Sequence, residues 1–226
     1  MDVLLASPLF GIFLSVFAYG VGSFLFSKIR TPLLNPLLFA IICCILFVES
    51  GLITYDKYMQ DNQFLINLLP VATALLAVNI YKQLKLVKKY ALAIIVSCLV
   101  GSVTSILSVI ALCKLFGVDK AIEASFIGKS CTTPIALDIS LMNGGMEGVT
   151  VIAVICTGIA GAVLAPLHAK LFKVKSPVAE GIAIGTSSHV IGTSKAVEIG
   201  EIQAALSGVA IGICGLITII LVTVFY

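Results

Sequence analysis

Residues 128–136 read GKSCTTPIA: a lysine, three hydroxyls and a proline gathered inside an otherwise apolar chain. Of the 226 residues, 60% are hydrophobic and 11% charged, and the mean hydropathy is +1.17. Soluble domains are about a quarter charged, so the composition specifies an integral membrane protein set in a lipid bilayer. At membrane depth, irregular backbone is tolerated only where it is buried in protein or lines water. The stretch at 128–136 must meet one of those conditions.

A hydrocarbon core of roughly 30 Å takes about 20 apolar residues per helix. Apolar runs of that kind cover about 3–27, 33–54, 63–82, 90–116, 148–169 and 204–226. The first lacks a basic start and is too long for a signal peptide, so it reads as a retained helix. Two further stretches, about 120–145 and 177–202, have the length to cross but are broken by polar residues and glycine. The expected fold is all-α and polytopic: about six full transmembrane helices plus two re-entrant hairpins or broken helices.

Charge placement favours hairpins, because cytoplasmic loops are rich in Lys and Arg. The basic clusters are Lys28/Arg30, Lys82/Lys85/Lys88/Lys89 and Lys170/Lys173/Lys175. With the N-terminus outside, the first two fall inside. The third joins them only if 120–145 enters and leaves on the outer side. By the same logic 177–202 enters from inside, and both termini lie outside. Fully spanning broken helices are the alternative.

The two broken stretches resemble each other. Glu123, Ile127, Gly128 and Ser130 match Glu180, Ile184, Gly185 and Ser187 at an offset of 57. After a three-residue slip, Thr133, Ala136 and Ile139 match Thr193, Ala196 and Ile199, and Asp138 pairs with Glu198. Two such units, each a hairpin followed by one spanning helix, would be inverted with respect to one another. Inverted repeats with polar breaks near the midplane are a mark of secondary transporters.

The breaks also suggest chemistry. Thr133-Pro134 has the form of a helix start, a Thr cap before a first-position proline, and Thr193 could start the following segment likewise. Free N–H groups and the positive dipole end at such a start favour an anion. Candidate binding residues are Lys129, Ser130, Thr132, Thr133, Ser187, Ser188, His189 and Thr193. Asp138, Lys195 and Glu198 are candidate coupling charges or structural ion pairs, since intramembrane charges usually pair. His189 could carry a proton or join two helices through a hydrogen bond. His168 reads as interfacial. TGIAGAVLAP at 157–166 reads as a tight helix contact, and NLLPVATALLAVNIYKQ at 67–83 as a kinked or irregular element.

Other classes are disfavoured. The seven cysteines show no metal-ligand or CxxC spacing, and no nucleophile–base pair or cofactor fingerprint occurs. Glu123 and Ala124 stand where a phosphate loop ending in Gly128-Lys129-Ser130 needs its first glycine. No enzyme, metal, cofactor or nucleic-acid role is expected; the expected ligand is a small organic anion.

KSCTTPIALDIS, VICTGIAGAVLAP and GIAIGTSSHVIGTSKAVEIGE, in that order, resemble the LrgB/CidB family of bacterial membrane proteins. The resemblance covers most of the chain and is strongest from about 126 to 210. The chain departs from the pattern at Leu69-Pro70, commonly Gly-Pro, and at Cys131, often valine. The resemblance implies a multi-pass protein of the bacterial cytoplasmic membrane. Members are described as antiholin-like modulators of murein hydrolase activity and cell lysis. A plant relative carries glycolate and glycerate, and bacterial relatives are linked to pyruvate uptake. A homo-oligomer and an LrgA/CidA-type membrane partner are also implied. The leading expectation is a secondary transporter or facilitator of small monocarboxylates, with a holin/antiholin-like role as the alternative. Residues 1–116 would form a scaffold and oligomer interface, and 117–226 the transport unit.

Overall fold

The computed structural model describes residues 7–29 and 36–226. Their regular structure is entirely helical: α1 (Phe10–Ile29), α2 (Pro36–Glu49), α3 (Tyr55–Asp61), α4 (Gln63–Asn67), α5 (Leu69–Lys82), α6 (Leu84–Leu115), α7 (Lys120–Ile127), α8 (Thr133–Met142), α9 (Glu147–Leu171), α10 (Pro177–Ile199) and α11 (Glu201–Phe225). The chain forms two compact units, one through Val71 and one from Ala72.

Among the described residues, α1, α6, α9 and α11 are long and apolar enough to cross a membrane. The other two expected spans differ. The helix at 36–49 has 14 residues, and its expected start at 33 lies outside the described residues. The stretch 63–82 is interrupted at Leu68. Pro70 sits in the first turn of α5, where its missing N–H costs no helical bond, so the helix restarts there.

In the first unit a polar knot ties α3 to α1. Asp61 is buried; its carboxylate accepts from Gly11 N at 3.2 Å and from Lys57 Nζ at 2.8 Å. Ser15 Oγ bonds Tyr58 Oη at 2.7 Å and donates to Asn62 Oδ1 at 3.1 Å. Each buried polar group named here has a partner, as burial in an apolar setting requires.

The second unit is built on α6 and α11, which run parallel. Cys98 Sγ reaches Ala210 O at 3.8 Å, Ser102 Oγ bonds Cys214 Sγ at 3.2 Å, and Thr218 Oγ1 donates to Ser102 Oγ at 3.1 Å. Residue numbers rise together along both helices. Ile94, Cys98, Leu206, Val209 and Cys214 form the apolar core between them, joined by Ile182 of α10.

Both broken stretches are hairpins. In the first, α8 returns along α7: a Cβ on Gly128 would lie 2.9 Å from Ala136 Cα, and Met146 N donates to Ser125 Oγ at 2.7 Å. In the second, Gly181 lies against the Gln203 backbone and Gly185 against Ser207 O, so residues 177–188 run parallel to α11. Thr193 Oγ1 then meets Ser207 Oγ at 2.6 Å, and Gly200 leads directly into α11, so residues 190–199 run back. The reversal is at His189, with φ 41° and ψ −141°. A non-glycine residue there is strained by about 1–3 kcal/mol.

The hairpins enter from opposite ends. Tyr226, just beyond α11, donates from Oη to Glu123 at 3.1 Å, which sets the mouth of the first hairpin at the end of α11. Gln203 Nε2 donates to Glu180 at 2.9 Å, which sets the mouth of the second at its start. The inversion expected from the repeat is therefore present. The three-residue slip falls at the tips. The first tip spends 128–132 on irregular backbone, whereas the second turns at His189 and resumes helix at once.

Candidate functional site

The hairpin tips meet at a cavity of about 670 Å³ against α6 and α9. Lys129 and Ser130 line it from the first hairpin, Thr186 and Ser187 from the second, Ser97, Gly101, Thr104 and Ser105 from α6, and Thr157 from α9. Lys129 is half-buried, with Nζ 3.5 Å from Ser105 Oγ. Ser105 Oγ also bonds Ser130 Oγ at 3.0 Å. The ion pairs among the described residues are Lys57–Asp61, Lys120–Glu123 and Lys195–Glu198. None of them involves Lys129, so this cation has hydroxyl neighbours and no carboxylate.

Beside Lys129 lies the start of α8. Its cap is Thr132, with Thr133 and Pro134 the first helical residues, one position earlier than the Thr133-Pro134 reading. The Thr132 side chain makes no capping bond, and its buried Oγ1 has no partner. The first turn of α8 thus keeps unsatisfied amide donors and the positive dipole end.

The remaining candidates divide. Ser187 Oγ bonds Ser188 Oγ at 2.9 Å, and Ser188 is buried against Gly161 of α9. His189 is buried and turned to α9, with Nε2 2.9 Å from Val154 O. Its geometry is that of the helix-linking alternative. Thr193 does not begin a half-helix, since the break lies at His189. Its Oγ1 donates to His189 O at 3.0 Å and meets Ser207. Thr133, His189 and Thr193 do not line the cavity. Lys195 and Glu198 pair at 2.7 Å along one arm, and Asp138 is exposed.

A second cavity of about 590 Å³ shares Thr157, Ala179, Ala183 and Ser187 with the first and continues along α9 and α10 to His168 and Glu180. At the opposite end, Glu123 is 1% exposed and accepts from Lys120 Nζ at 2.6 Å and from Tyr226 Oη. Burial and the adjacent carboxylate push the Tyr226 phenol up to about 12, so it remains a donor at neutral pH. Among the described residues, no group of His, Cys, Asp and Glu could hold a metal ion.

Sequence reasoning missed the α6 wall. Ser97, Gly101, Thr104, Ser105 and Ser108 recur at helical spacing within the apolar run 90–116. That polar stripe was the available signal.

The model of the LrgB-like family matches residues 15–226. The chain is 35% identical over 220 residues to a protein named antiholin-like protein LrgB from Bacillus cereus (strain B4264); the match covers 97% of this chain and 96% of that protein. The protein of the same name from Bacillus anthracis (strain CDC 684 / NRRL 3495) matches with the same identity and coverage. No solved structure matches.

Proposed function

The chain belongs to the LrgB-like family, and from that premise we propose that it is an antiholin-like membrane protein whose hairpin junction binds and passes a small organic anion. The names of the relatives support the antiholin-like role, which has more direct support than any particular substrate. The observation that carries the anion reading is Lys129. It is a half-buried cation without a carboxylate partner, at a cavity wall, beside a helix start whose cap hydroxyl is unbonded. Buried charge is costly unless paired, and a bound carboxylate would supply the pairing.

In this reading the carboxylate sits against Lys129, with Ser130 and Ser105 donating to it, and the positive end of the α8 dipole adds to the field. Ser187 and Thr186 approach from the second hairpin. Small 2-oxo and 2-hydroxy monocarboxylates such as pyruvate, glycolate and glycerate are the proposed substrates, a choice resting on the family resemblance. Residues 1–116 are the proposed scaffold and oligomer interface and 117–226 the transport unit, with α6, packed on α11, supplying a wall of its site. The protein lies in the bacterial cytoplasmic membrane with both termini outside, alone or with an LrgA/CidA-type partner.

Uptake into proteoliposomes tests this. Saturable uptake of labelled pyruvate or glycolate, competed by the unlabelled acid, is expected. Leakage of unrelated dyes graded by size would instead favour the second reading, a holin-type assembly or regulator of murein hydrolase export that moves no specific anion. That reading is favoured by the relatives' names.

A further inference from the structure

The two hairpins are fastened to the same helix by matching residues. Glu123 in the first turn of α7 and Glu180 in the first turn of α10 are equivalent at the offset of 57. Glu123 is bonded to Tyr226, just past the end of α11; Glu180 is bonded to Gln203, in the first turn of α11. A single rigid helix therefore holds one hairpin mouth at each end.

The two fastenings are unequal. Glu123 is buried, and its bond to the end of α11 comes from Tyr226 Oη; Lys120, on α7 itself, pairs with Glu123 from within the hairpin and stands 5.5 Å over the Tyr226 ring. Both bonds to α11 end on a carboxylate and are charge-assisted; the one at Glu123 is the more buried and is joined by the Lys120 ammonium over the Tyr226 ring. Glu180 is only half-buried, takes one neutral amide, and lines the cavity that runs into the hairpin junction. The cavity reaches the Glu180 end along α9 and α10, whereas toward the Glu123 end Ile127, Cys131 and Ile135 are packed against Ile106, Val109 and Val222.

We infer that Glu123 and Glu180 are paired latches controlling access to the junction from opposite faces, with the Glu123–Lys120–Tyr226 latch holding its face shut. Release of that latch frees the first hairpin at its mouth and exposes its tip to the Tyr226 face. This rests on the reading of the junction as a site reached from both faces. It does not depend on the ligand's identity.

Native Cys131, at the first hairpin tip and 2% exposed, reports the release. The full-length protein, in vesicles of both orientations, is exposed to a membrane-impermeant maleimide, and the Cys131 peptide is followed by mass spectrometry. From the Tyr226 face the parent labels slowly. Tyr226→Phe and Glu123→Gln raise that rate by about tenfold or more, the factor expected on loss of a hydrogen bond to a charged group. Gln203→Ala, which frees only the Glu180 end, leaves it at the parent level. Tyr226→Phe removes a single hydroxyl, so it carries the test if Glu123→Gln does not fold. Unchanged labelling in Tyr226→Phe, or equal acceleration in Gln203→Ala, overturns the inference. Neither result bears on anion binding, which is measured separately.

Discussion

Lys129 of the first hairpin faces Ser105 of α6, Nζ to Oγ at 3.5 Å, and the same Oγ holds Ser130 at 3.0 Å. A flexible cation thereby meets a hydroxyl rather than being neutralised by a carboxylate. The arrangement leaves its charge available to a ligand and ties the tip of a hairpin to a spanning helix.

Ser105→Ala removes the hydroxyl that both Lys129 and Ser130 use. Anion affinity should fall severalfold, as for the loss of one hydrogen bond of about 1 kcal/mol, while thermal stability in detergent changes little. Affinity at the parent level would remove Ser105 from the site.

His189 is a hinge before it is a ligand. His189→Ala loses the bond to Val154 O yet keeps a Cβ at φ 41°, whereas His189→Gly loses the bond and relieves the backbone. Thermal unfolding should therefore rank His189→Gly above His189→Ala, by about 1 kcal/mol or more. The reverse order would contradict the hairpin turn.

Gly185 and Gly208 give opposite outcomes for the same change. A Cβ on Gly185 would press on Ser207 O and lie 2.9 Å from Ala210 Cβ, whereas one on Gly208 meets nothing within 4 Å. Gly185→Ala should destabilise by about 1–3 kcal/mol through overpacking. Gly208→Ala should be neutral or stabilise by up to about 1 kcal/mol through helix propensity. Melting curves of the two variants check both; equal shifts would contradict the packing of the second hairpin on α11.

Much of the architecture was legible in the sequence because lipid imposes simple rules. Apolar length found α1, α6, α9 and α11, and the basic clusters favoured hairpins over broken spans. The match of Glu123 and Gly128 to Glu180 and Gly185 signalled inversion. Less legible was anything set by tertiary contact. Thr193 looked like a cap because Thr is a good one, but the chain turns four residues earlier, where packing on α9 holds His189 in a conformation its residue type disfavours. The Ser105 wall was hidden in a stretch whose average hydropathy is high. The break at Leu68 was suspected from Pro70, but kinked and irregular readings of 67–83 stood equal.

The central claim is that Lys129 at the junction of two opposed hairpins binds a small carboxylate. Equilibrium binding of radiolabelled pyruvate and glycolate to the purified full-length protein tests it most directly, with Lys129→Met and Lys129→Arg alongside. The account predicts saturable binding to the parent, at least about tenfold weaker in Lys129→Met, since a charge-assisted bond is lost, and partly kept in Lys129→Arg. Undiminished binding in Lys129→Met, or no saturable binding of either acid to the folded parent, would contradict it.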